Sequence, residues 1–327
     1  MNIASKQNEI TLTEGSLAQM LKSAGDTLRL EILRILKVAS FGVQELAFVF
    51  EMPQPGMSHH LKVLSRSGLV TSRREGNCFF YQRPTIQPEN PLKVILESIY
   101  NTIDEIKIRD KVNERIETVY KSRSDRSMEF FSKNSTKFRE EQGKIASYDQ
   151  YSGALEDLLQ HVDLNEDKTV LEIGPGEGEL LMRLAPMVNK IYALDNSKEM
   201  LGNTKSLLGD KKFDHIEYVS GDLNEIIDRK ISVDFLVLNM VLHHMASPPE
   251  MFELFSKTIS HNGILMLIEL CSHDQDWVRN NCGDLWLGFN PDELTIWAKE
   301  NNFITGQSSF LGLKNGFQIQ LRLFINR

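Results

Sequence analysis

The run Thr169-Val-Leu-Glu-Ile-Gly-Pro-Gly-Glu-Gly-Glu-Leu-Leu181 constrains the fold of this chain more than any other stretch. Five strand-forming residues break at a turn of three glycines and resume at helical spacing, which predicts strand, turn and helix in one motif. The rhythm then repeats. Lys190–Leu194, Ile216–Val219, Val233–Leu238 and Ile264–Glu269 read as strands, with Glu179–Leu184, Ser197–Leu208 and Pro249–Ile259 as helices. Strands separated by helices predict an α/β domain built on a parallel, doubly wound sheet. Phe317–Ile325 reads as an additional edge strand, antiparallel to the rest.

The front of the chain follows a different pattern. Leu17, Met20, Leu21, Leu28, Leu30, Ile32, Leu33, Ile35 and Leu36 predict two helices broken at Gly25-Asp26, with Asp26 capping the second. A short helix follows over Val43–Phe50, and Met52-Pro-Gln-Pro-Gly56 forces a turn, since proline cannot continue a helix. Another helix spans about 55–66. Leu69–Thr71 and Cys78–Tyr81 are then two short strands around the turn Glu75-Gly76-Asn77. Helix, turn, helix and hairpin in this order predict a small α+β winged helix-turn-helix.

Between these regions, Asn90-Pro91 opens what reads as one long helix to about residue 120. Leu92, Leu96, Ile99, Ile103 and Ile106 are spaced 4-3-4-3, and Ile108, Val112, Ile116 and Val119 continue in a shifted phase. Such a seam suits a dimer helix or a packed connector. The polar stretch 122–150 marks a boundary. The expected organisation is therefore a winged domain over 1–90, a dimerisation or linker helix over 91–125, and the α/β domain over 126–327.

Charge is distributed unevenly. Residues 1–90 carry ten Lys and Arg against eight Asp and Glu, and 91–151 carry twelve against eleven; residues 152–327 carry fifteen against twenty-six. A phosphate backbone is tolerated by the front half and repelled by the back half. Cys78, Cys271 and Cys282 show no paired spacing, as expected for a reduced, cytoplasmic chain. Residues 1–9 lack a basic-then-apolar leader and no apolar run approaches eighteen residues, so no membrane association is expected.

On the second helix of the winged region, Met57, Ser58, His59 and Lys62 fall in the first turns, where such helices meet base edges; Gln54 sits at the entry. Arg73 and Arg74 flank the hairpin turn and can reach the backbone or minor groove of double-stranded DNA. Leu61 and Leu64 face the core. Gly25-Asp-Thr-Leu-Arg-Leu-Glu-Ile-Leu-Arg-Ile-Leu36, Met57-Ser-His-His-Leu-Lys-Val-Leu64, Gly68-Leu-Val70 and Arg73-Arg-Glu-Gly-Asn77 resemble the ArsR-type winged-helix family over roughly residues 14–85. The resemblance implies a homodimer on a palindromic operator, usually as a repressor. Many members of that family sense metals through cysteines on the helix before the turn. Val43–Phe50 holds neither Cys nor His, and neither does 91–120, so no metal site is expected here. His59 and His60, as neighbours on a helix, point about 100° apart.

Gly174, Gly176 and Gly178 follow a G-x-G-x-G spacing that lets backbone approach a ligand. A dinucleotide fingerprint needs its third glycine at position 179, which is Glu179. Glu177 and Glu179 also stand where a pyrophosphate wants positive potential, so the turn suits a ligand with a cationic centre. Asp195, Asp222 and Asn239 end the next three strands, the edge at which open α/β sheets bind ligands. These residues resemble the class I S-adenosylmethionine-dependent methyltransferases over about 126–327, closest to a small-molecule group with Leu-His-His after the fourth strand. The resemblance implies that Glu172, Gly174, Gly176 and Gly178 contact the methionine moiety, that Asp195 with Asn196 holds the ribose, that Asp222 with Leu223 meets the adenine, and that Asn239 borders the site. Tyr148 or Tyr151 would close over the cofactor.

The catalytic residues stay open: His243, His244 and His273 are candidate bases by location, and the alternative is that the first His of such a pair packs structurally. Cys271 and Cys282 are too few for arsenite methylation. Asp284-Leu-Trp-Leu-Gly-Phe289 reads as core or dimer surface, with the lining of an acceptor pocket as the alternative. Three functions fit: a DNA-binding repressor whose second domain methylates a small molecule, a regulator that senses S-adenosylmethionine or S-adenosylhomocysteine without turnover, and a nucleic-acid methyltransferase. The third is weakened because Asn239-Met-Val-Leu242 replaces the Asn/Asp-Pro-Pro-Tyr/Phe signature of amino-directed enzymes.

Overall fold

A computed structural model describes residues 12–37, 39–76, 78–86, 89–134, 138–209 and 213–327. Residues 1–9, on which the expectation of no leader rests, and Asn77 of the hairpin turn lie outside them. The chain divides into two compact units, Met1–Tyr120 and Lys121–Arg327.

In the first unit, α1 (Glu14–Ala24) is capped by Thr13 and α2 (Thr27–Ile35) by Asp26, whose carboxylate accepts from Arg29 N at 3.0 Å. A short β1 (Phe41–Gly42) leads into α3 (Val43–Val49), and Pro53 starts α4 (Gln54–Arg66). β2 (Thr71–Glu75) and β3 (Cys78–Gln82) form an antiparallel hairpin, with β1 adding to β3. The helix-turn-helix and wing are thus present in the expected order.

The expected single helix over 91–120 is two: α5 (Lys93–Asp104) and α6 (Asp110–Asn134). The break falls at the phase shift of the seam. There Arg34 Nε donates to Ile106 O at 3.1 Å, and Asp104 takes both guanidinium arms of Arg83 at 2.6 and 3.2 Å, so the helix end has its partners in side chains. Most of the seam is buried within this unit: Leu96, Ile103, Val112, Ile116 and Val119 join the core of Leu33, Phe41, Leu46 and Leu61, while Ile106 at the break is exposed. Satisfying the seam inside one unit is the physical reason that α5 and α6 are packed helices and not one free connector.

The stretch 122–150, expected as a polar boundary, is largely helical. It holds the second part of α6, then α7 (Phe138–Ile145) and the start of α8 (Tyr148–Leu159). Arg123 is 5% exposed: its guanidinium donates to Ala246 O at 2.7 Å and lies over the Trp286 ring. A long charged side chain buried this way reads as polar in sequence and packs as core.

The second unit is a seven-stranded sheet in the order β6-β5-β4-β7-β8-β10-β9. Its strands are β4 (Thr169–Ile173), β5 (Lys190–Asp195), β6 (Ile216–Ser220), β7 (Val233–Asn239), β8 (Ile259–Leu270), β9 (Phe303–Gly312) and β10 (Gln318–Asn326). β6 to β8 are parallel and β10 runs antiparallel to both neighbours. Helices α9 (Glu179–Leu184), α10 (Lys198–Leu208), α11 (Leu223–Asp228), α12 (Pro248–Thr258), α13 (Trp277–Asn281) and α14 (Pro291–Glu300) lie between the strands. The stretch expected as an edge strand, Phe317–Ile325, is interior: Ile319, Leu321 and Phe324 are fully buried, and β9 forms the edge beyond it. Strand order reverses at β4, between β5 and β7, so the carboxyl ends of these strands open a crevice. No helix among the described residues is long and apolar enough to cross a membrane.

Candidate functional site

Gly174, Gly176 and Gly178 all have left-handed φ, +66°, +54° and +76°. Only glycine adopts such a chain of values without strain. Gly174 is also spatially forced, since a Cβ there would meet Val241 Cγ2 at 2.6 Å; one on Gly178 would make a tight contact with Thr204 Cγ2 at 3.1 Å. A Cβ on Gly176 would meet nothing within 4 Å. Its carbonyl is held by the Thr204 hydroxyl, so the turn is fixed from behind while its outer side stays open.

Around this turn the structure assembles the expected strand-end groups. Glu172 on β4 is 1% exposed, and burial raises its carboxyl to about 8. Its Oε2 is buried without a hydrogen-bond partner. Asp195 ends β5 and accepts from Ser197 N at 2.8 Å; burial raises it to about 6, against the pull of that hydrogen bond. Asn196 beside it is exposed. Asp222 caps α11 through Asn224 N at 2.8 Å, and Leu223 is buried behind it. Gly221 N donates to Asp195 O at 3.0 Å, which ties the β5 and β6 ends together. Asn239 ends β7, where Oδ1 accepts from Tyr151 OH at 3.0 Å. Tyr148 stacks edge-on to Tyr151 at 5.5 Å; burial, then Glu172 and Glu179, raise its hydroxyl to about 12. Both tyrosines therefore stand near the strand ends.

The candidate bases are placed differently. His243 is fully buried on the turn Leu242–His244; its Nδ1 lies 2.6 Å from Glu269 Oε1 and its backbone N donates to Glu269 Oε2 at 3.1 Å. Burial opposes a charge on His243, but Glu269 and Asp284 hold it up, to about 9. His244 is 9% exposed against the Phe131 ring, and burial together with His243 pushes it well below its ordinary value. Neither ring stands open to a substrate, and His243 packs as a buried, hydrogen-bonded side chain. His273 packs on Phe317 at 4.8 Å, with its Nδ1 accepting from Gln275 N. Sequence reasoning missed Glu269, the carboxylate that organises this turn. Burial pushes Cys271 and Cys282 up to about 11 and 12, so both are neutral thiols.

In the first unit, Gln54, His59 and Lys62 are exposed on α4 and Ser58 is half-buried. Arg74 is exposed on the hairpin, its Nε donating to Gly76 O at 2.8 Å; Arg73 is ion-paired with the buried Glu75. Met57 is corrected: it is fully buried with Leu61 and Leu64 and cannot reach a groove. Arg66, at the exposed end of α4, adds a cation that the sequence reading passed over.

Comparison with known proteins gives two separate matches. Residues 26–72 match the family described as bacterial regulatory protein, arsR family, and residues 164–302 match the family described as methyltransferase domain. The chain is 41% identical over 66 residues to the arsenical resistance operon repressor of Staphylococcus aureus, which is 20% of this chain and 64% of that protein. It is 40% identical over 65 residues to an uncharacterized HTH-type transcriptional regulator of Methanocaldococcus jannaschii, 20% of this chain and 73% of the relative. An uncharacterized methyltransferase of Schizosaccharomyces pombe is 30% identical over 151 residues, 46% of this chain and 57% of the relative. The chain thus spans less than two thirds of the repressor and of the methyltransferase that it matches.

Proposed function

The chain belongs to the arsR family of bacterial regulatory proteins and carries a methyltransferase domain behind its winged helix, and we propose that it is an operator-binding repressor whose second unit binds S-adenosylmethionine and methylates a small molecule. One observation carries the cofactor reading. Four consecutive strand ends present the open glycine turn, Asp195, Asp222 and Asn239, and the buried Glu172 Oε2 behind them has no partner. A buried carboxyl without a partner next to an open backbone turn suits a cationic ligand, whose charge favours the ionised form. Glu172 and the glycines would hold the methionine end, Asp195 and Asn196 the ribose hydroxyls, Asp222 and Leu223 the adenine. Bound S-adenosylmethionine supplies an electrophilic methyl group. The chain's own part is to fix the cofactor's charged end, to exclude water with Tyr148 and Tyr151, and to present the acceptor at the Asn239 end of β7.

In the first unit, α4 enters the major groove of double-stranded DNA through Gln54, Ser58, His59 and Lys62, with Arg73 and Arg74 on the wing. The protein acts as a homodimer on a palindromic site in the cytoplasm. The repressor name of its Staphylococcus aureus relative supports the direction of control.

A second reading, sensing without turnover, is favoured by the burial of His243 and His244, which leaves no accessible imidazole from that turn. Operator binding measured with S-adenosylmethionine, with S-adenosylhomocysteine and with neither, alongside turnover of the labelled cofactor, separates the two. Transfer of label to a small-molecule extract supports the enzyme. Ligand-dependent operator binding without any transfer supports the sensor, and equal operator affinity in all three states removes the coupling.

A further inference from the structure

His243, His244 and Asp284 converge at the carboxyl ends of β7 and β8, and one donor atom from each lies within 4.8 Å of the others. All three are buried, at 0, 9 and 2% exposure. His243 Nε2 lies 3.8 Å from Asp284 Oδ1 and has no hydrogen-bond partner; His244 Nδ1 lies 4.0 Å from the same oxygen. The two rings converge, with centroids 4.1 Å apart, where the neighbouring His59 and His60 on a regular helix stand at 6.1 Å. Behind them, Glu269 accepts from the far side of His243, Nδ1 to Oε1 at 2.6 Å, and from its backbone N.

We propose that His243, His244 and Asp284 form a site for one divalent transition-metal ion of the zinc type, with Glu269 orienting His243. Bonds of about 2.0–2.2 Å to a tetrahedral ion set its ligand atoms roughly 3.4 Å apart. The 3.8 and 4.0 Å pairs close with shifts of a few tenths of an ångström, and the widest separation, within 4.8 Å, closes by a rotation of the His244 ring of about an ångström. Two imidazoles and one carboxylate are the donor set of a borderline cation such as Zn²⁺ and not of Ca²⁺ or Mg²⁺. A carboxylate on the distal nitrogen of a ligating histidine is the arrangement that fixes ring orientation and tautomer at metal centres. Charge points the same way. Glu269 and Asp284 bring two carboxylates into a region 1–2% exposed, and a divalent cation is one way to balance them there.

The ion acts as a clasp. Leu285 N and Trp286 N both donate to His243 O, at 3.0 and 3.1 Å, and Phe289 N donates to Leu270 O at 2.9 Å. Coordination by Asp284 therefore pins the segment that follows it to the ends of β7 and β8. The sequence reading expected no metal because it looked for ligands in the winged helix; these three come from two places forty residues apart. The site is independent of the cofactor proposal, since none of its residues belongs to the glycine turn or to the Asp195 and Asp222 loops.

The test uses the full chain without a histidine tag, stripped with a chelator and titrated with Co²⁺. One Co²⁺ per chain with a ligand-field absorption band typical of a tetrahedral nitrogen and oxygen site is expected, displaced by one Zn²⁺, together with a rise in melting temperature. Asp284→Asn and His244→Asn should abolish the band, and Glu269→Gln should weaken the affinity by about 10–100-fold. A wild type that shows neither band nor rise overturns the proposal without reference to any variant. So does a thiolate charge-transfer band, which would place the ion on Cys271 or Cys282, or a band that survives Asp284→Asn in a chain that still melts cooperatively.

Discussion

Tyr151 on α8 gives its hydroxyl hydrogen to Asn239 Oδ1, 3.0 Å away at the end of β7. The two residues are 88 apart in sequence, and the bond sets the amide that borders the crevice. Burial raises the Tyr151 hydroxyl far above its ordinary value, so it stays a donor at every working pH. Tyr151→Phe removes that donor with little change of volume. A net loss of about 0.5–1.5 kcal/mol is expected in unfolding free energy. Because the freed Asn239 amide can rotate, S-adenosylmethionine affinity should fall roughly 3- to 10-fold, as read by calorimetry. Unchanged affinity would detach Asn239 from the cofactor site.

Gly174 and Gly176 separate fold from pocket. Gly174→Ala places a methyl 2.6 Å from Val241 Cγ2 at φ +66°, so the strain is steric as well as conformational. It should cost about 2–4 kcal/mol and lose cofactor binding as a consequence. Gly176→Ala at φ +54° meets nothing, and its stability cost is about 1–2 kcal/mol. If the open side of Gly176 is where the cofactor lies, its binding should nevertheless drop as far as in Gly174→Ala. Denaturant titration and cofactor titration on both variants read the difference. A Gly176→Ala chain that binds normally would move the ligand away from this turn.

Glu172 predicts a pH dependence of opposite sign to that of a salt-bridged carboxylate. Its carboxyl is raised from an ordinary 4.5 to about 8 by burial. Between those values the folded chain keeps a proton that the unfolded chain has lost, so stability falls as pH rises from 4.5 to 8 and levels off above it. The decline attributable to this group is on the order of a few kcal/mol. Glu172→Gln should flatten the upper part of the curve, from about pH 7, above most of the titration of Asp195 near 6, to pH 8. A cationic ligand should also expel the proton. Calorimetry in two buffers of different ionisation enthalpy at pH 7 is expected to show up to one proton released on S-adenosylmethionine binding by the wild type and less by Glu172→Gln. Equal heats in the two buffers would place the sulfonium and ammonium groups elsewhere.

The sheet was legible where burial and chain order coincide. β4, β5, β7 and β8 hold apolar runs between turns, and the ends of β4, β5, β6 and β7 carry the candidate cofactor groups. β9 was missed because Thr305, Gly306, Gln307, Ser308 and Ser309 carry no apolar alternation: an edge strand half-exposed to water does not need it. Without β9, Phe317–Ile325 had no outer neighbour and was read as the edge, although Ile319, Leu321 and Leu323 are core residues. The break between α5 and α6 has a sequence signal, the phase shift between Ile106 and Ile108, but a seam of the same residue types on both sides reads equally as one helix. Met57 was misread for another reason. With Leu61 and Leu64 it lies at spacing four and three, which is one buried stripe, and its place in the first turn was weighed above that periodicity. The buried turn at His243 could be read only in half. The histidines are adjacent in sequence, but Glu269 and Asp284 reach them through the fold.

The winged helix offers the sharpest separation of stability from recognition. Met57→Ala opens a cavity among fully buried neighbours and should cost about 2–5 kcal/mol, with operator affinity lost only in step with unfolding. Lys62 is exposed on the same helix one turn on, and Arg74 is exposed on the wing. Replacing either with Ala should leave the melting temperature within about a degree or two, since exposed positions of this kind change stability by less than about 0.5 kcal/mol. If Lys62 meets a phosphate, Lys62→Ala reduces the slope of log affinity against log salt by about one and weakens all sequences alike. His59→Ala, at an exposed position in the first turns of α4, should instead lower specific affinity while leaving the salt slope nearly unchanged, by about 1–3 kcal/mol if it reads a base edge. Fluorescence anisotropy with operator and scrambled duplexes at several salt concentrations reads all three. Equal loss on both duplexes for His59→Ala would reassign that residue to the backbone, and no loss for any exposed variant would mean that α4 does not face the DNA.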